Sequence, residues 1–395
     1  MKKILYTATV LSHICQFHLP YLNELQDHGH VVHVAAHNNL SEKNGLALQY
    51  TDRFIEIPFR RSPFDRRNLK AYQQLKQLID RETYDLILCN TPVGGILTRF
   101  AARKARKKGC RVIYMAHGFH FYQGASRKNW LVYYPIEKYM ARLCDLVITI
   151  NEEDYALAKE KFPAQVAYIH GVGVSAERYH LADEASRRAM RQAEGLSETD
   201  FVILCTGELN QNKDQATLIR AAAEIKEKVP NLKVLLAGNG PMEAELKALI
   251  SSLKLENTGK FLGYRTDLEK VVPAMDLVVS CSHREGMPLN IIEAMLCGKP
   301  VVAAANRGSR ELIHDGENGY LFPAGDAEAL EWVILELFLE PELRQRMGQD
   351  GMGKAEKYTV GSVKKELLPL LIQEGNDNGH YSGAGNCDRH GARRH

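Results

Sequence analysis

Residues 276–305 read DLVVSCSHREGMPLNIIEAMLCGKPVVAAA. A β-rich run, DLVVSCS, breaks at a polar loop, HREGM. Pro288 then stands where the first position of a helix loses nothing by lacking an N–H. After Cys297-Gly298-Lys299 a second β-rich run, PVVAAA, begins. Strand, helix and strand in about thirty residues are the repeating unit of a parallel sheet covered by helices.

Working outward, the same alternation fills the chain. KILYTATV, HVVHVAA, YDLILCN, RVIYMAH and DLVITIN come first, then FVILCTG, KVLLAGN, GKFLGY, DLVVSCS and PVVAAA. Apolar runs of this length between amphipathic helices predict parallel strands buried on both faces. A chain of 395 residues exceeds one ordinary core, so two domains are expected. The series pauses over residues 168–200, where glycines and a charged run intervene, and resumes at Phe201. The reading is therefore α/β with two doubly wound domains: residues 1–170, then 171–357, with a joint near Gly171. The final stretch, 376–395, has almost nothing apolar and is expected to be disordered.

Composition excludes several classes. With 45% hydrophobic and 25% charged residues the chain is an ordinary globular protein, and a net charge of +3 argues against a nucleic-acid partner. No stretch approaches the ~20 apolar residues of a membrane span. MKKILYTATVL resembles a signal peptide, but polar SHICQFH follows instead of a small-residue cleavage site, so it is read as a first buried strand. The eight cysteines form no Cys-x-x-Cys pair. Reduced core thiols of a cytoplasmic protein fit them better than disulfides or zinc.

Ligands of open parallel sheets sit beyond the carboxyl ends of the strands. The residues there are Ser12-His13, Asn90-Thr91, His117-Gly118, Gly207-Glu208, Gly238-Asn239-Gly240, His283-Arg284-Glu285 and Asn306-Arg307-Gly308. In the opening segment, the amides of Leu289 and Asn290 face outward from a helix start, where an anion is favoured. Glu293 lies three and four residues on, hence on the same face. It and Glu285 suit neutral hydroxyls such as a ribose diol. Amides for phosphate and carboxylates for diols describe a nucleotide sugar. A capping carboxylate beside a solvated helix glutamate fits the same spacing.

EGMPLNIIEAMLCGKPVVA resembles the E-x7-E signature of the retaining glycosyltransferases of family 4. Its flanks FLGYRTDLEKVVPAMDLVVSCSHREGMPL and NRGSRELIHDGENGYLFPAGD are similar to that family too. The likeness extends from HLPYLNELQDHGHVVHVAA to about residue 370 and is nearest to bacterial capsule and exopolysaccharide enzymes, through GELNQNKD and AHGFHFYQGA. The resemblance implies the GT-B architecture, two Rossmann-like domains facing across a cleft. It places the donor in the second domain and a last helix, 358–375, back on the first.

By the same resemblance Glu285 contacts the donor sugar, Glu293 the nucleotide ribose, and His117 the sugar near the reacting carbon, with His120 a lesser candidate. The family's turn places an arginine and a lysine on the diphosphate. Here the turn opening at Gly207 keeps Lys213 but has Glu208 in place of the arginine, so Arg307 or Arg310 is expected to restore the second charge. TVLSHIC stands where many relatives have a Gly-Gly loop. No Asp-x-Asp pair lies in the folded part and no His/Cys cluster has metal spacing. No cofactor and no metal are therefore expected, with helix amides and Lys213 stabilising a departing UDP.

The implied reaction is transfer with retention, by front-face attack, to a saccharide or polyprenyl-diphosphate-linked acceptor. Basic RFAARKARKK (residues 99–108) and aromatic RKNWLVYYPIEKYMARL (127–143) suit an anionic membrane surface, so peripheral binding at the inner face is expected. A solvated helix with cations at its C-terminus fits them as well. Three rivals remain. A dinucleotide oxidoreductase lacks its Gly-x-Gly-x-x-Gly after the first strand. A sugar-nucleotide epimerase would turn over without an acceptor, and a non-catalytic sugar-nucleotide-binding subunit would not turn over at all.

Overall fold

The computed structural model describes residues 1–42 and 45–372. Seven strands form the first sheet: β1 (Lys3–Val10), β2 (Val31–His37), β3 (Arg53–Glu56), β4 (Leu86–Asn90), β5 (Arg111–Ala116), β6 (Leu146–Thr149) and β7 (Gln165–Tyr168). Six form the second: β8 (Phe201–Thr206), β9 (Leu232–Ala237), β10 (Gly259–Gly263), β11 (Leu277–Ser280), β12 (Val301–Ala304) and β13 (Gly319–Phe322). The orders are β3-β2-β1-β4-β5-β6-β7 and β10-β9-β8-β11-β12-β13. Every pair is parallel, with Ile4 opposite Leu86 on β4 and Leu277 opposite Ile203 on β8. The two doubly wound domains expected from the alternating runs are the ones observed.

The sequence explains which strands sit in the middle. β4 and β8 are buried at every position, as LILCN and FVILCT require of strands covered on both faces. β3, β7 and β13 were not among the expected runs. They are four-residue edge strands with partly exposed side chains, so they carry no continuous apolar signal. In both sheets the order reverses beside the first strand, between β1 and β4 and between β8 and β11. Those two switch points are where a ligand crevice opens.

Beyond β7 the chain turns through Gly171 and Gly173, both at positive φ. Val174 then bridges to Thr359 of the returning segment. The charged stretch 168–200 is not a bare linker, because it holds the helix Glu184–Ala193. Arg191 of that helix is fully buried and paired with Asp276 at 3.2 Å. The last helix, Val360–Ile372, lies on the first domain. Lys364 pairs with Glu24, Glu366 with His170, and Lys2 and Arg111 donate to the carbonyls of Ile372 and Leu370. The stretch 376–395, expected to be disordered, lies outside the described residues. Cys15, Cys89, Cys110, Cys144, Cys205, Cys281 and Cys297 are buried and unpaired. No helix among the described residues is long and apolar enough to cross a membrane.

Candidate active site

The loop after β11 and the turn after β8 meet at the second switch point. Lys213 Nζ lies 2.7 Å from Glu285 Oε1, with both side chains mostly covered. The two segments are laced together by backbone: His283 N–H donates to Asn212 O, and Asn212 Nδ2 donates to Arg284 O. Gly207 has φ +144°, and a Cβ there would press on the Lys213 stem at 3.3 Å. Glycine at this position therefore both makes the turn and leaves the lysine its path. Glu208, which replaces the expected arginine, is exposed and accepts from Asn210 Nδ2.

The helix after the loop spans Leu289–Leu296, with Pro288 as its cap residue and not its first helical one. Pro288 is extended, at φ −78° and ψ 101°. The N–H groups of Leu289 and Asn290 belong to the first turn and have no intrahelical acceptor. Asn290 also reaches the end of β8, donating to Thr206 O at 3.4 Å. One turn further, burial pushes the Glu293 carboxyl up to about 7, against the opposing pull of the Tyr179 hydroxyl and of Arg178 and Lys213. Glu285, Lys213, Gly207, Leu289, Asn290 and Glu293 thus line one continuous wall.

Across from that wall, the loop after β5 brings in His117. The domains touch here: a Cβ on Gly286 would lie 2.5 Å from His117 O, so only glycine allows this approach. His117 Nε2 is 3.0 Å from Asn90 Oδ1 at the end of β4. Burial pulls the imidazole down to about 4, so it is neutral at neutral pH. His120 instead stacks on Tyr133, with ring centroids 4.7 Å apart.

Arg307 has a different occupation from the one expected of it. Its guanidinium is buried and pairs with Asp154 of the first domain at 2.5 Å. It also donates to Phe119 O and Glu285 O and lies over the Tyr122 ring. It clamps the domains together and is not free for a phosphate. Asp154 was not visible as a partner, being 153 positions away. Arg310, three residues on, is exposed. Burial raises the Asp154 carboxyl, opposed by Arg307 and by hydrogen bonds from Asn151 and the Phe119 amide.

Sequence spacing showed no histidine cluster, yet the fold assembles one. His13, His18 and His117 each place a ring nitrogen within 4.8 Å of the others. His13 and His117 stood at marked strand ends, but neither as a metal ligand, and His18 carried no signal.

Comparison with known proteins identifies the family and the fold. Residues 3–151 match the family model described as glycosyl transferase 4-like, and residues 186–353 that of the glycosyl transferases group 1. A protein of Bacillus subtilis (strain 168) named as a glycosyltransferase, EpsD, is 43% identical over 371 residues, covering 93% of this chain and 96% of its own. The Escherichia coli UDP-Gal:alpha-D-GlcNAc-diphosphoundecaprenol alpha-1,3-galactosyltransferase is 28% identical, covering 74% of this chain and 77% of its own. Among solved structures, Anabaena Alr3699/HepE in complex with UDP and glucose superposes with a TM-score of 0.76 at 23% identity, over 94% of this chain and 99% of that one. WaaG, a glycosyltransferase involved in lipopolysaccharide biosynthesis, does so with 0.75 at 17%, over 94% and 100%.

Proposed function

The chain belongs to the family 4 glycosyltransferases of GT-B fold, a hexosyltransferase, and on that premise we propose that it moves a sugar with retention from a UDP donor to a polyprenyl-diphosphate-linked saccharide during exopolysaccharide assembly. The observation that carries this reading is the wall on which Lys213, Glu285, the first turn of Leu289–Leu296 and Glu293 stand together. In this reading the donor diphosphate takes Lys213 away from Glu285 and lies against the Leu289 and Asn290 amides. Glu293 accepts from the ribose hydroxyls, and Glu285 from those of the sugar. Arg310, which is exposed, replaces the arginine lost at Glu208.

As the glycosidic bond to the diphosphate breaks, negative charge grows on UDP, where Lys213 and the amides stabilise it. The acceptor hydroxyl enters on the same face and gives its proton to the departing phosphate. His117, neutral and carried by the loop whose backbone meets Gly286 across the cleft, positions the sugar in this reading. The reading needs no metal, because a lysine and a helix start supply the positive field that Asp-x-Asp transferases obtain from a cation. Support for the donor and acceptor comes from relatives: the E. coli enzyme's name specifies UDP-Gal and a diphosphoundecaprenol-linked acceptor, and HepE structures hold UDP or UDP-glucose.

A lipid-linked acceptor calls for a membrane-facing surface, and in this reading exposed cations and apolar side chains of the first domain supply it. Leu131, Ile136 and Tyr139 are exposed on the helix Arg127–Met140, beside exposed Arg127 and Lys128. Tyr139 adjoins Phe100, over whose ring Arg103 lies. The helix Arg103–Lys107 adds Lys104 and Lys107.

The deciding experiment is UDP release from a panel of UDP-hexoses and UDP-N-acetylhexosamines, with and without polyprenyl-diphosphate saccharides, in EDTA. Acceptor-dependent release of UDP with an α-linked product is expected. Turnover of the donor without an acceptor would replace this reading with an epimerase. Loss of all release in EDTA, restored by Mn²⁺, would overturn the metal-free mechanism.

A further inference from the structure

The histidine cluster lies at the first switch point, on the opposite side of the cleft from the diphosphate wall. His13 belongs to the helix Leu11–Phe17 that follows β1, and His117 follows β5. His18 is the joint between Leu11–Phe17 and the helix Leu19–Asp27. The ring centroids are 4.4 Å apart for His13 and His117, 5.4 Å for His13 and His18, and 5.5 Å for His18 and His117.

One feature separates this cluster from ordinary packing, and a second gives it the spacing of a site. His18 is fully buried, yet neither of its ring nitrogens has a hydrogen-bond partner. A buried imidazole carries one donor and one acceptor that both ask for a partner, and one of these nitrogens belongs to the cluster. Second, His13 Nε2 and His117 Nε2 face each other at 3.2 Å. Zinc–imidazole bonds of about 2.0–2.1 Å at a tetrahedral angle put two ligand nitrogens about 3.3–3.4 Å apart. The observed spacing suits two ligands of one ion as well as an N–H···N hydrogen bond, and an ion at His117 Nε2 would displace the contact of that nitrogen with Asn90 Oδ1 at 3.0 Å.

We propose that His13, His18 and His117 form a three-imidazole site for a borderline transition-metal ion of the Zn²⁺ class, and that the ion, when bound, restrains His117. The donor set decides the class. Three neutral nitrogens with no carboxylate among them suit Zn²⁺, Co²⁺, Ni²⁺ or Cu²⁺ and not the oxygen-seeking Mg²⁺, Ca²⁺ or Mn²⁺. Three imidazoles leave a further position for a solvent or substrate oxygen, as in three-histidine zinc centres. The second part of the proposal rests on the reading of His117 given above. A coordinated imidazole loses the lone pair and the rotational freedom it needs beside a sugar, so the ion acts as a brake on a transferase that works without metal.

Co²⁺ reports directly on such a site. The full chain, stripped of metal and kept reduced, is titrated with Co²⁺ and followed by its visible absorption. One equivalent should produce the intense bands of a four- or five-coordinate imidazole site, and Zn²⁺ should bleach them. His13→Gln and His18→Gln should each weaken binding at least tenfold. Absence of the bands overturns the site. So do bands equally strong in both variants, which would place the ion elsewhere, for example on His380, His390, His395 or Cys387. If His18→Gln fails to fold by circular dichroism, the more exposed His13→Gln decides.

Stoichiometric Zn²⁺ should then lower UDP release by the wild type relative to EDTA, and lower it far less in His13→Gln relative to that variant's own EDTA rate. Equal inhibition of both overturns the restraint. A chain that binds Co²⁺ as described but turns over no UDP-sugar keeps the metal site and loses the proposed transfer reaction.

Discussion

Glu293 is pulled toward opposite protonation states by the fold and by a donor. Burial favours its neutral form, with the carboxyl raised from 4.5 to about 7. Ribose hydroxyls donate hydrogen bonds and favour the ionised one. Between about 4.5 and 7 the folded chain keeps a proton that the unfolded chain has released. The contribution of Glu293 to stability is therefore complete below that window and is lost as pH rises through it. Donor affinity should have the reverse slope, rising as Glu293 ionises. Glu293→Gln should flatten both, as seen by melting without donor and by calorimetry with UDP; parallel slopes would contradict the ribose contact. Lys213→Ala removes a charged partner of the diphosphate, and about 1.5–3 kcal/mol, or ten- to a hundred-fold in UDP affinity, should go with it. Unchanged affinity would remove Lys213 from the site. Glu285 and Glu293 could be singled out as candidates because each sits at a fixed offset from a strand end or helix start, whereas Lys213 was marked only by the resemblance of its turn to the family's. The place of Arg307 was not legible, since its role depends on Asp154, and the histidine cluster joins positions 104 residues apart.

At the scale of elements, the sequence marked the central strands and, of the edges, only β10, through GKFLGY. Central strands such as β4 and β8 read as unbroken apolar runs, whereas β3, β7 and β13 are edges whose outer side chains meet water and so look like loop. The basic segment 99–108 shows the same limit for surfaces. It appeared to be one cationic helix, but Arg99 is fully buried, paired with Glu137 at 2.8 Å and packed 3.8 Å over the Tyr114 ring. Arg106 is tied to Asp145 and to the carbonyl of Arg142. Trp130 and Tyr134 turn inward onto Phe121. The exposed residues of these segments that remain for the proposed bilayer contact are Arg103, Lys104, Lys107, Lys108, Arg127 and Lys128, with Leu131, Ile136 and Tyr139. Each such cation contributes about 1 kcal/mol near an anionic surface. Replacing Arg103, Lys104, Lys107 and Lys108 by Ser should thus weaken co-sedimentation with anionic vesicles by orders of magnitude at low salt, while Arg106→Ser chiefly costs stability. Binding that ignores lipid charge, or equal binding by the fourfold variant, would remove the membrane from the proposed function.

At the scale of the molecule, the two sheets are joined by charge as well as by chain. Arg307 reaches from the second domain into a pocket of the first, where Asp154 is completely buried. Glu311 accepts from the Glu152 amide and the Tyr168 hydroxyl in the same interface. A buried pair adds little net stability when intact, but removing one partner strands the other charge at a cost of about 3–5 kcal/mol. Arg307→Ala leaves Asp154 without its cation and also frees the Glu285 carbonyl from the guanidinium that anchors the loop after β11. Two consequences should appear together. Calorimetric unfolding should shift down and separate into two transitions as the domains uncouple, and the radius of gyration in solution should grow. Arg307→Ala combined with Asp154→Ala should recover part of the loss, because no unpaired charge remains. UDP affinity should change little, since in this structure Arg307 faces Asp154 and not the Lys213 wall, whereas kcat should fall as the loops that carry Glu285 and His117 lose the guanidinium that bonds the Glu285 and Phe119 carbonyls. If instead UDP affinity drops ten-fold or more while unfolding stays unchanged, Arg307 is a diphosphate ligand after all and the closed arrangement of the domains is held by the remaining contacts.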